Sequence, residues 1–280
     1  MQVLPAANIW ANNGWEWRFD DNAVFISLDE VRAAEDRRYE FLEKGCRIGS
    51  MENCDKNADL QILTFGNSHE LDAYNILVSQ YGQRDDINIT SFGTSFGCGF
   101  KLEGGRVINT KQNSKLQCSL RAGLLNDKDF INTLDIIAYS VHQPLAVQDT
   151  MTILRHLKTI NPRMKIIFFS GYIGIRPYRC DALINRYGDV DTCKDPKFVN
   201  YFAGGDEKKM ILAMTFAKTD FLYIDKVDLF CEGRLLENCL MQANRTPAFY
   251  DGDHLSVEFA RLLSDKMTAA YADELAKFGL

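Results

Sequence analysis

The chain has 280 residues, a formal net charge of −6 at pH 7, 46% hydrophobic residues and 25% charged residues. These values are typical of a globular protein and exclude disordered and collagen-like classes. The acidic balance, without any block of lysine or arginine, argues against a nucleic-acid partner, because nucleic-acid binding needs clustered positive charge. No run of the sequence approaches the roughly 18 apolar residues that a membrane helix needs.

Eight cysteines fall into four successive short pairs, which are Cys46 with Cys54, Cys98 with Cys118, Cys180 with Cys193, and Cys231 with Cys239. An even number at such spacings favours local disulfides, which require an oxidising compartment. The alternative is that some of them are ordinary buried thiols. The residues after Met1 lack the basic segment followed by an apolar run that marks a secretory signal. We therefore expect the exported part of a longer protein.

In chain order, the first predicted element is a helix from Leu28 to Leu42, rich in Glu, Arg and Ala. From residue 60 onward, apolar runs of β-forming residues alternate with helical patterns. The predicted strands are 60–66, 87–92, 133–140, 164–172 and 220–230, and the predicted helices are 69–81, 127–132, 145–160, 196–218 and 256–278. This alternation is typical of a parallel sheet covered by helices on both faces. We expect one α/β domain over 59–280, preceded by a packed N-terminal extension over 1–58.

The first predicted strand ends in Gly66-Asn67-Ser68-His69, and a helix follows at once. Ser68 therefore stands at the carboxyl edge of the sheet, where parallel sheets bind ligands. There, its own N–H and the helix dipole favour negative charge that develops on an oxygen. The simpler alternative is that Ser68 only caps the helix, which is a common role of serine.

A second motif, YDGDHLS over residues 250–256, stands directly before the last predicted helix. A nucleophilic serine needs a base to take its proton and a carboxylate to hold that base in the right tautomer. Asp251 and His254, three apart in a turn, can meet through one ring nitrogen and leave the other for Ser68. Asp253 is the weaker candidate, because it is adjacent to the histidine and tends to point away. The alternative is that this stretch only caps the helix and leaves His254 exposed.

GNSH after the first strand, together with DxxH followed by Leu-Ser before the final helix, resembles the SGNH hydrolase superfamily. More narrowly, the chain is similar to the periplasmic SGNH domain fused to the C-terminus of membrane acyltransferase-3 proteins, which O-acylate bacterial surface glycans. The opening NGWEWRF and the cysteine pair between Asp228 and His254 are similar to that family as well. The resemblance implies a three-layer α/β/α, flavodoxin-like SGNH fold around a central, mostly parallel sheet of five strands.

Carried over to this chain, the resemblance implies Ser68 as nucleophile, His254 as general base and Asp251 as the partner that orients it. It also implies an oxyanion hole formed by the Ser68 N–H and by a glycine N–H in the loop after the second strand. Gly97 is the preferred glycine, because it directly precedes a cysteine, and Gly93 is the alternative.

The chain departs from the family pattern after the third strand, where the family normally supplies an asparagine to the oxyanion hole. The segment YSVHQP over 139–144 contains none, and Gln143 or His142 would have to substitute. One lost oxyanion donor costs roughly 3 kcal/mol of transition-state stabilisation. The departure motivates an alternative of a different class, namely a non-catalytic glycan-binding or docking module with the same fold.

The resemblance implies an extracytoplasmic domain that O-acetylates a bacterial surface polysaccharide through an acyl-serine intermediate. Water in place of the glycan hydroxyl makes the same machinery a carbohydrate O-acetylesterase, which is the other alternative. The implied partners are a surface glycan and a membrane module that delivers the acyl group and tethers the domain to the inner membrane. We expect no cofactor and no metal ion, because His142 and His156 are isolated and the acidic residues form no ligand-spaced cluster.

The cysteine pattern is tested by thiol titration of the denatured, unreduced protein. We expect no reactive thiol before reduction, because four disulfides use every cysteine, and eight after reduction. Eight reactive thiols before reduction would contradict both the pairing and the oxidising compartment.

Overall fold

The computed structural model describes residues 26–49, 53–93, 98–110, 115–140, 147–175, 178–203, 216, 219–244 and 246–280. The strands in chain order are β1 (Cys46–Arg47), β2 (Leu60–Gly66), β3 (Ile87–Ser91), β4 (Phe100–Glu103), β5 (Arg106–Asn109), β6 (Ile136–Ser140), β7 (Lys165–Ser170), β8 (Tyr172–Ile175), β9 (Val199–Ala203), β10 (Phe221–Asp225), β11 (Gln242–Ala243) and β12 (Thr246–Pro247). The helices are α1 (Leu28–Lys44), α2 (Glu70–Tyr81), α3 (Lys115–Leu124), α4 (Lys128–Asn132), α5 (Val147–Ile160), α6 (Cys180–Tyr187), α7 (Lys226–Phe230), α8 (Val257–Ala270) and α9 (Ala272–Phe278).

The central sheet is parallel throughout and has the strand order β1-β3-β2-β6-β7-β10. Without the short β1, the order corresponds to the flavodoxin-like 2-1-3-4-5 arrangement, whose switch point lies between its first and third strands. These are β2 and β6 in this chain. The turn that carries Ser68 therefore starts at the switch point, where such sheets bind ligands.

The sheet is buried on both faces, which explains why its strands are almost continuously apolar. Side chains alternate between two hydrophobic clusters: Ile62 and Ile167 belong to one, and Leu63 and Ile166 belong to the other. The first cluster also takes in side chains of α2 and α8, and the second takes in those of α5. The expected three-layer α/β/α fold is thus confirmed.

The expectation of five strands was one short, because Cys46 and Arg47 pair with Thr90 and Ser91 at the edge of the sheet. A two-residue strand shows no periodicity that a sequence pattern could reveal. This strand and α1 lie within the predicted extension over 1–58, whose boundary at residue 58 stays a prediction.

Three predicted elements were wrong in part. The second half of the strand expected over 220–230 is α7, because the Asp225 carboxylate caps that helix by accepting a hydrogen bond from Val227 N at 3.0 Å. The last helix, expected over 256–278, breaks at Tyr271 into α8 and α9. The helix expected over 196–218 begins instead with β9, which pairs with β8, and residues 204–215 lie outside the described ranges.

Four disulfides join Cys46 to Cys54, Cys98 to Cys118, Cys180 to Cys193, and Cys231 to Cys239, as expected from the sequence. No cysteine remains free. Each bond closes a short loop, and such bonds typically contribute about 2–4 kcal/mol of stability.

Within the described ranges, no helix combines the length and the apolar composition that crossing a membrane requires.

The close approach of β2 to β6 at the switch point is tested by Gly66→Ala. A Cβ atom at Gly66 would lie 1.8 Å from the main-chain oxygen of Ser140. We expect the free energy of unfolding, measured by urea denaturation, to fall by about 1–3 kcal/mol through overpacking. Gly123→Ala is the matched control, because a Cβ in that helix meets no atom within 4 Å. Equal stability of the two variants would contradict the close approach.

Candidate active site

Ser68 lies in the turn between β2 and α2, and hydrogen bonds of Asn67 define the shape of this turn. Asn67 N donates to Ser140 O at 3.3 Å, and the Asn67 side-chain oxygen accepts from His69 N at 3.0 Å. Asparagine therefore makes the main-chain contact that an aspartate at this position would also make. Ser68 itself is half-buried at the carboxyl end of β2.

His254 lies in the loop between β12 and α8, and Asp251 holds both its ring and its backbone. One carboxylate oxygen of Asp251 is 2.7 Å from His254 Nδ1. The other accepts from the backbone N–H groups of Asp253 at 2.9 Å and His254 at 2.8 Å. A tight turn over four residues thus brings the carboxylate and the imidazole together, as their spacing predicted.

The histidine loop is anchored to the segment that follows β7. Ile175 N donates to Gly252 O at 2.8 Å, and Arg179 donates through Nη2 to Tyr250 O at 3.1 Å. These contacts attach the loop to β8 and to the start of α6. The Cys180–Cys193 disulfide, which begins beside Arg179, joins α6 to the turn after it.

Asp253 does not point away from His254, contrary to the expectation from the sequence. Its side chain is buried, and its Oδ1 atom is 3.4 Å from His254 Nδ1. Because Asp251 lies 0.7 Å closer to that nitrogen, Asp251 is the hydrogen-bond partner and Asp253 is a second nearby charge.

The two motifs meet through their histidine rings. The ring of His69, directly after Ser68, stacks on the ring of His254 with 4.6 Å between centroids and 26° between planes. Within the described part of the chain, His254 Nε2 is buried and has no hydrogen-bond partner, so the bond to Ser68 is not formed. Such bonds are often long in unliganded enzymes and tighten when substrate binds.

A second Asp-His pair, Asp72 with His69, lies behind the first. His69 Nδ1 is 2.7 Å from Asp72 Oδ2, and neither side chain has appreciable contact with solvent. Burial lowers the pKa of His69 to about 4, although Asp72 opposes this effect. His69 is therefore neutral at pH 7. Because Asp72 can only accept, the His69 proton lies on Nδ1.

The sequence motifs did not reveal Arg38 on α1, whose side chain is 2% exposed. Its Nη2 atom donates to Ser68 O at 2.9 Å and to Asp72 Oδ1 at 3.0 Å. Burial opposes ionisation of Asp72, but Arg38 and His69 hold the pKa of its carboxyl well below the usual range. The sequence did offer a signal for the neighbouring Asp72–His69 pair, because residues three apart meet in the first turn of a helix.

Lys226, the first residue of α7, is a second buried cation near the histidine pair. It lines a small cavity together with Asp72 and Asp253. Burial lowers the pKa of its amine, while the nearby carboxylates of Asp72 and Asp225 oppose that shift. The cations and carboxylates behind the histidines therefore compensate one another, as buried charges must.

Asp251 is more exposed than Asp72 and remains ionised for a different reason. Burial raises the pKa of its carboxyl, but the hydrogen bond from His254 and the two backbone N–H groups lower it below the usual value overall. The carboxylate can therefore accept from His254 Nδ1–H at neutral pH and leave Nε2 as the proton acceptor.

The expected second oxyanion donors have different outcomes. The N–H of Gly93 donates to Ser91 Oγ at 3.2 Å, so it is already engaged. The φ angle of Gly93 is +71°, a conformation that favours glycine. The geometry of the turn therefore explains this glycine without a role in the oxyanion hole. Gly97, His142 and Gln143 lie outside the described residues.

His69, Asp253 and His254 place potential metal-ligand atoms within 4.8 Å of one another. Both Nδ1 atoms already face carboxylates, at 2.7 Å in each pair. The rings are stacked, so their nitrogens point side by side instead of converging on one point as tetrahedral coordination requires. We assign no metal to this cluster.

The family model for the SGNH domain (fused to AT3 domains) matches residues 31–269. The chain therefore belongs to this family of SGNH domains. A solved structure of the periplasmic domain of a lipopolysaccharide acetyltransferase from Salmonella ser. Paratyphi A is similar to it, with a TM-score of 0.59 and 17% identity. The similarity covers 88% of this chain and 98% of that one, and at this identity it shows the fold. No curated protein matches the chain.

The neutral state of His69 predicts a pH-dependent stability. Between pH 4 and 6.5 the unfolded chain binds a proton on this residue that the folded chain does not bind. We therefore expect the free energy of unfolding to increase with pH by up to about 1.4 kcal/mol per unit in this window.

Urea denaturation of the wild type and His69→Phe at several pH values measures this contribution. The variant is expected to show a smaller slope between pH 4 and 6.5. Burial also lowers the pKa of His156 on α5, but this ring is only half-buried, so His156→Phe serves as the comparison and should reduce the slope less than His69→Phe does. If His69→Phe kept the wild-type slope, His69 would not be the residue that resists protonation.

Proposed function

We propose that the chain is an extracytoplasmic acyl-transfer domain that O-acetylates a bacterial surface polysaccharide through an acyl-serine intermediate on Ser68. One observation carries the proposal: the Asp251–His254 pair, joined at 2.7 Å, lies against the residue that follows Ser68. A serine, a base and a carboxylate that orients the base are the parts that nucleophilic acyl transfer needs.

In the first half-reaction, Ser68 Oγ attacks the carbonyl carbon of the acyl donor while His254 Nε2 accepts the hydroxyl proton. Collapse of the tetrahedral intermediate breaks the bond to the leaving group, which takes that proton from His254. In the second half-reaction, a glycan hydroxyl attacks the acyl-serine and gives its proton to His254, which returns it to Ser68. Asp251 stabilises the imidazolium in both halves.

The negative charge on the carbonyl oxygen would be stabilised first by Ser68 N–H, at the start of the twelve-residue α2. For the second donor we retain Gly97. The N–H of Gly93 would have to leave Ser91 Oγ before it could contribute.

The comparisons with known proteins support a glycan as the acceptor and the periplasm as the location. The family is described as fused to AT3 domains, and the similar solved structure is the periplasmic domain of a lipopolysaccharide acetyltransferase. We therefore propose a periplasmic domain that, in the full-length protein, is tethered to the inner membrane by an acyltransferase module that delivers the acyl group. The four disulfides agree with an oxidising compartment.

A carbohydrate O-acetylesterase is the second candidate, because water can replace the glycan hydroxyl in the second half-reaction. The side chains of His254 and Asp251 are 17% and 25% exposed, so the pair is not sealed from water. The two functions share the first half-reaction and differ only in the acceptor.

Hydrolysis of p-nitrophenyl acetate tests the shared half-reaction. We expect Ser68→Ala to abolish release of p-nitrophenol, and Asp251→Asn to lower kcat by about 10⁴, as loss of the correct histidine tautomer does. Ser79→Ala, on the helix α2 that follows Ser68, and Asp253→Asn are the controls and are expected to be far less affected.

Two outcomes distinguish acetyl transfer, hydrolysis and non-catalytic glycan binding. If oligosaccharide added to the wild type becomes acetylated, as seen by mass spectrometry, transfer is favoured over hydrolysis. A wild type that is folded by circular dichroism but inactive would exclude both enzymatic functions and favour a glycan-binding module.

A further inference from the structure

Arg38 belongs to a helix that supplies none of the proposed catalytic residues. The helix α1 begins at a capping box formed by Ser27 and Glu30. It is attached to α8 by an ion pair between Arg37 and Glu258 at 2.7 Å. It is attached to α2 by a hydrogen bond from Asn75 Nδ2 to Arg38 O at 3.1 Å. Contacts with both neighbouring helices therefore set the position of α1, and with it the point from which the Arg38 side chain projects.

One guanidinium contacts both catalytic motifs. It donates to the main-chain oxygen of Ser68 in the serine turn and to the hydroxyl of Tyr250 in the histidine loop, the latter at 3.0 Å. Tyr250 directly precedes Asp251, and its ring lies 5.4 Å from the guanidinium carbon. The planar, multidentate donor set of arginine can make these bonds at once, whereas a lysine amine at the same place cannot reach in several directions.

The third partner of Arg38 connects it to the base. Asp72 binds the guanidinium through one oxygen and His69 through the other, and the His69 ring stacks on His254. We propose that Arg38 is a positioning residue through which α1 sets the serine turn and keeps His69 uncharged against His254. Its effect on the reaction rests on the proposed function; its effect on His69 does not.

The charge balance explains why His69 depends on Arg38. Removing the guanidinium leaves the buried Asp72 carboxylate with one strong partner fewer, and an uncompensated buried charge is costly. The Asp72–His69 pair is then expected to bind a proton. A charged His69 ring 4.6 Å from His254 would oppose the imidazolium that His254 must form during catalysis.

Other charged and titratable groups surround this pair. Lys226 from α7 contributes positive charge, whereas Asp253 and Asp251 from the histidine loop contribute negative charge. Tyr250 and Tyr39 lie against the guanidinium. All of these groups remain when Arg38 is replaced, so a change in His69 reports the loss of the guanidinium itself.

The experiment compares Arg38→Met with the double variant Arg38→Met/Asp72→Asn. Arg32→Met is the matched control on the same helix, because Arg32 is an exposed arginine that pairs with Asp29. The charge and tautomer of each imidazole are read from ¹⁵N chemical shifts across the pH range, which is practical because the chain contains four histidines. The kcat and kcat/KM for p-nitrophenyl acetate are measured over the same range.

In the wild type and in Arg32→Met we expect a neutral His69 with its proton on Nδ1 at neutral pH. In Arg38→Met we expect the Asp72–His69 pair to carry an additional proton near neutral pH and kcat to fall about 100-fold, the scale of small misplacements at an active site. The double variant removes the unpaired carboxylate, so His69 should be neutral again and part of kcat and the wild-type pH profile should return.

Arg38→Lys serves if Arg38→Met does not fold. The lysine keeps the positive charge, so His69 should stay neutral. It cannot make the simultaneous hydrogen bonds to Ser68 O and Tyr250, so kcat should still fall. Wild-type kcat in either Arg38 variant would overturn the proposal. In Arg38→Met, a loss of kcat with no change in His69 and no relief from Asp72→Asn would overturn it as well, and so would a charged His69 in Arg38→Lys at neutral pH. Full activity of Ser68→Ala would instead refute the proposed function and leave the His69 result to be judged separately.

Discussion

A guanidinium shielded from solvent connects parts of the chain that lie far apart in sequence. Arg38 and Tyr250 are 212 positions apart, yet their side chains are joined by a hydrogen bond. The same guanidinium neutralises Asp72 and binds the main chain at Ser68. A charge at this depth needs an opposite charge and hydrogen-bond acceptors, so the elements that supply Asp72, Ser68 O and Tyr250 must lie around it. The relative position of the serine turn and the histidine loop depends on this requirement.

Two Asp-His pairs with the same 2.7 Å contact lie side by side, and their different burial gives them different chemistry. His69 and Asp72 have almost no exposed surface, so His69 stays neutral and cannot be reached by substrate. His254 and Asp251 are partly exposed, and Nε2 of His254 has no partner among the described residues. The geometry of an Asp-His pair is therefore not sufficient to define a base. The exposure of the side chains as a whole, 17% and 25% in one pair against 1% and 0% in the other, decides which histidine can exchange a proton with a bound molecule.

The features predicted correctly depend on contacts between residues that are close in the chain. The turn at Ser68, the Asp251–His254 contact and the four disulfides span short segments, and apolar runs marked the strands of the sheet. Two of the errors arose where local contacts outweighed the pattern. Asp225 starts a helix inside a run that is apolar enough for a strand, and Asp253 remains near His254 because the turn buries it.

The sequence by itself determined the α/β class, the two motifs and their place at the carboxyl edge of the sheet, because strand periodicity and short-range turns are local properties. Only the tertiary structure decided how the motifs meet. The stack of His69 on His254, the insertion of Arg38 from α1 and the burial of Lys226 join residues from distant segments. No spacing rule covers such contacts, because they follow from packing helices onto both faces of one sheet and from pairing every buried charge.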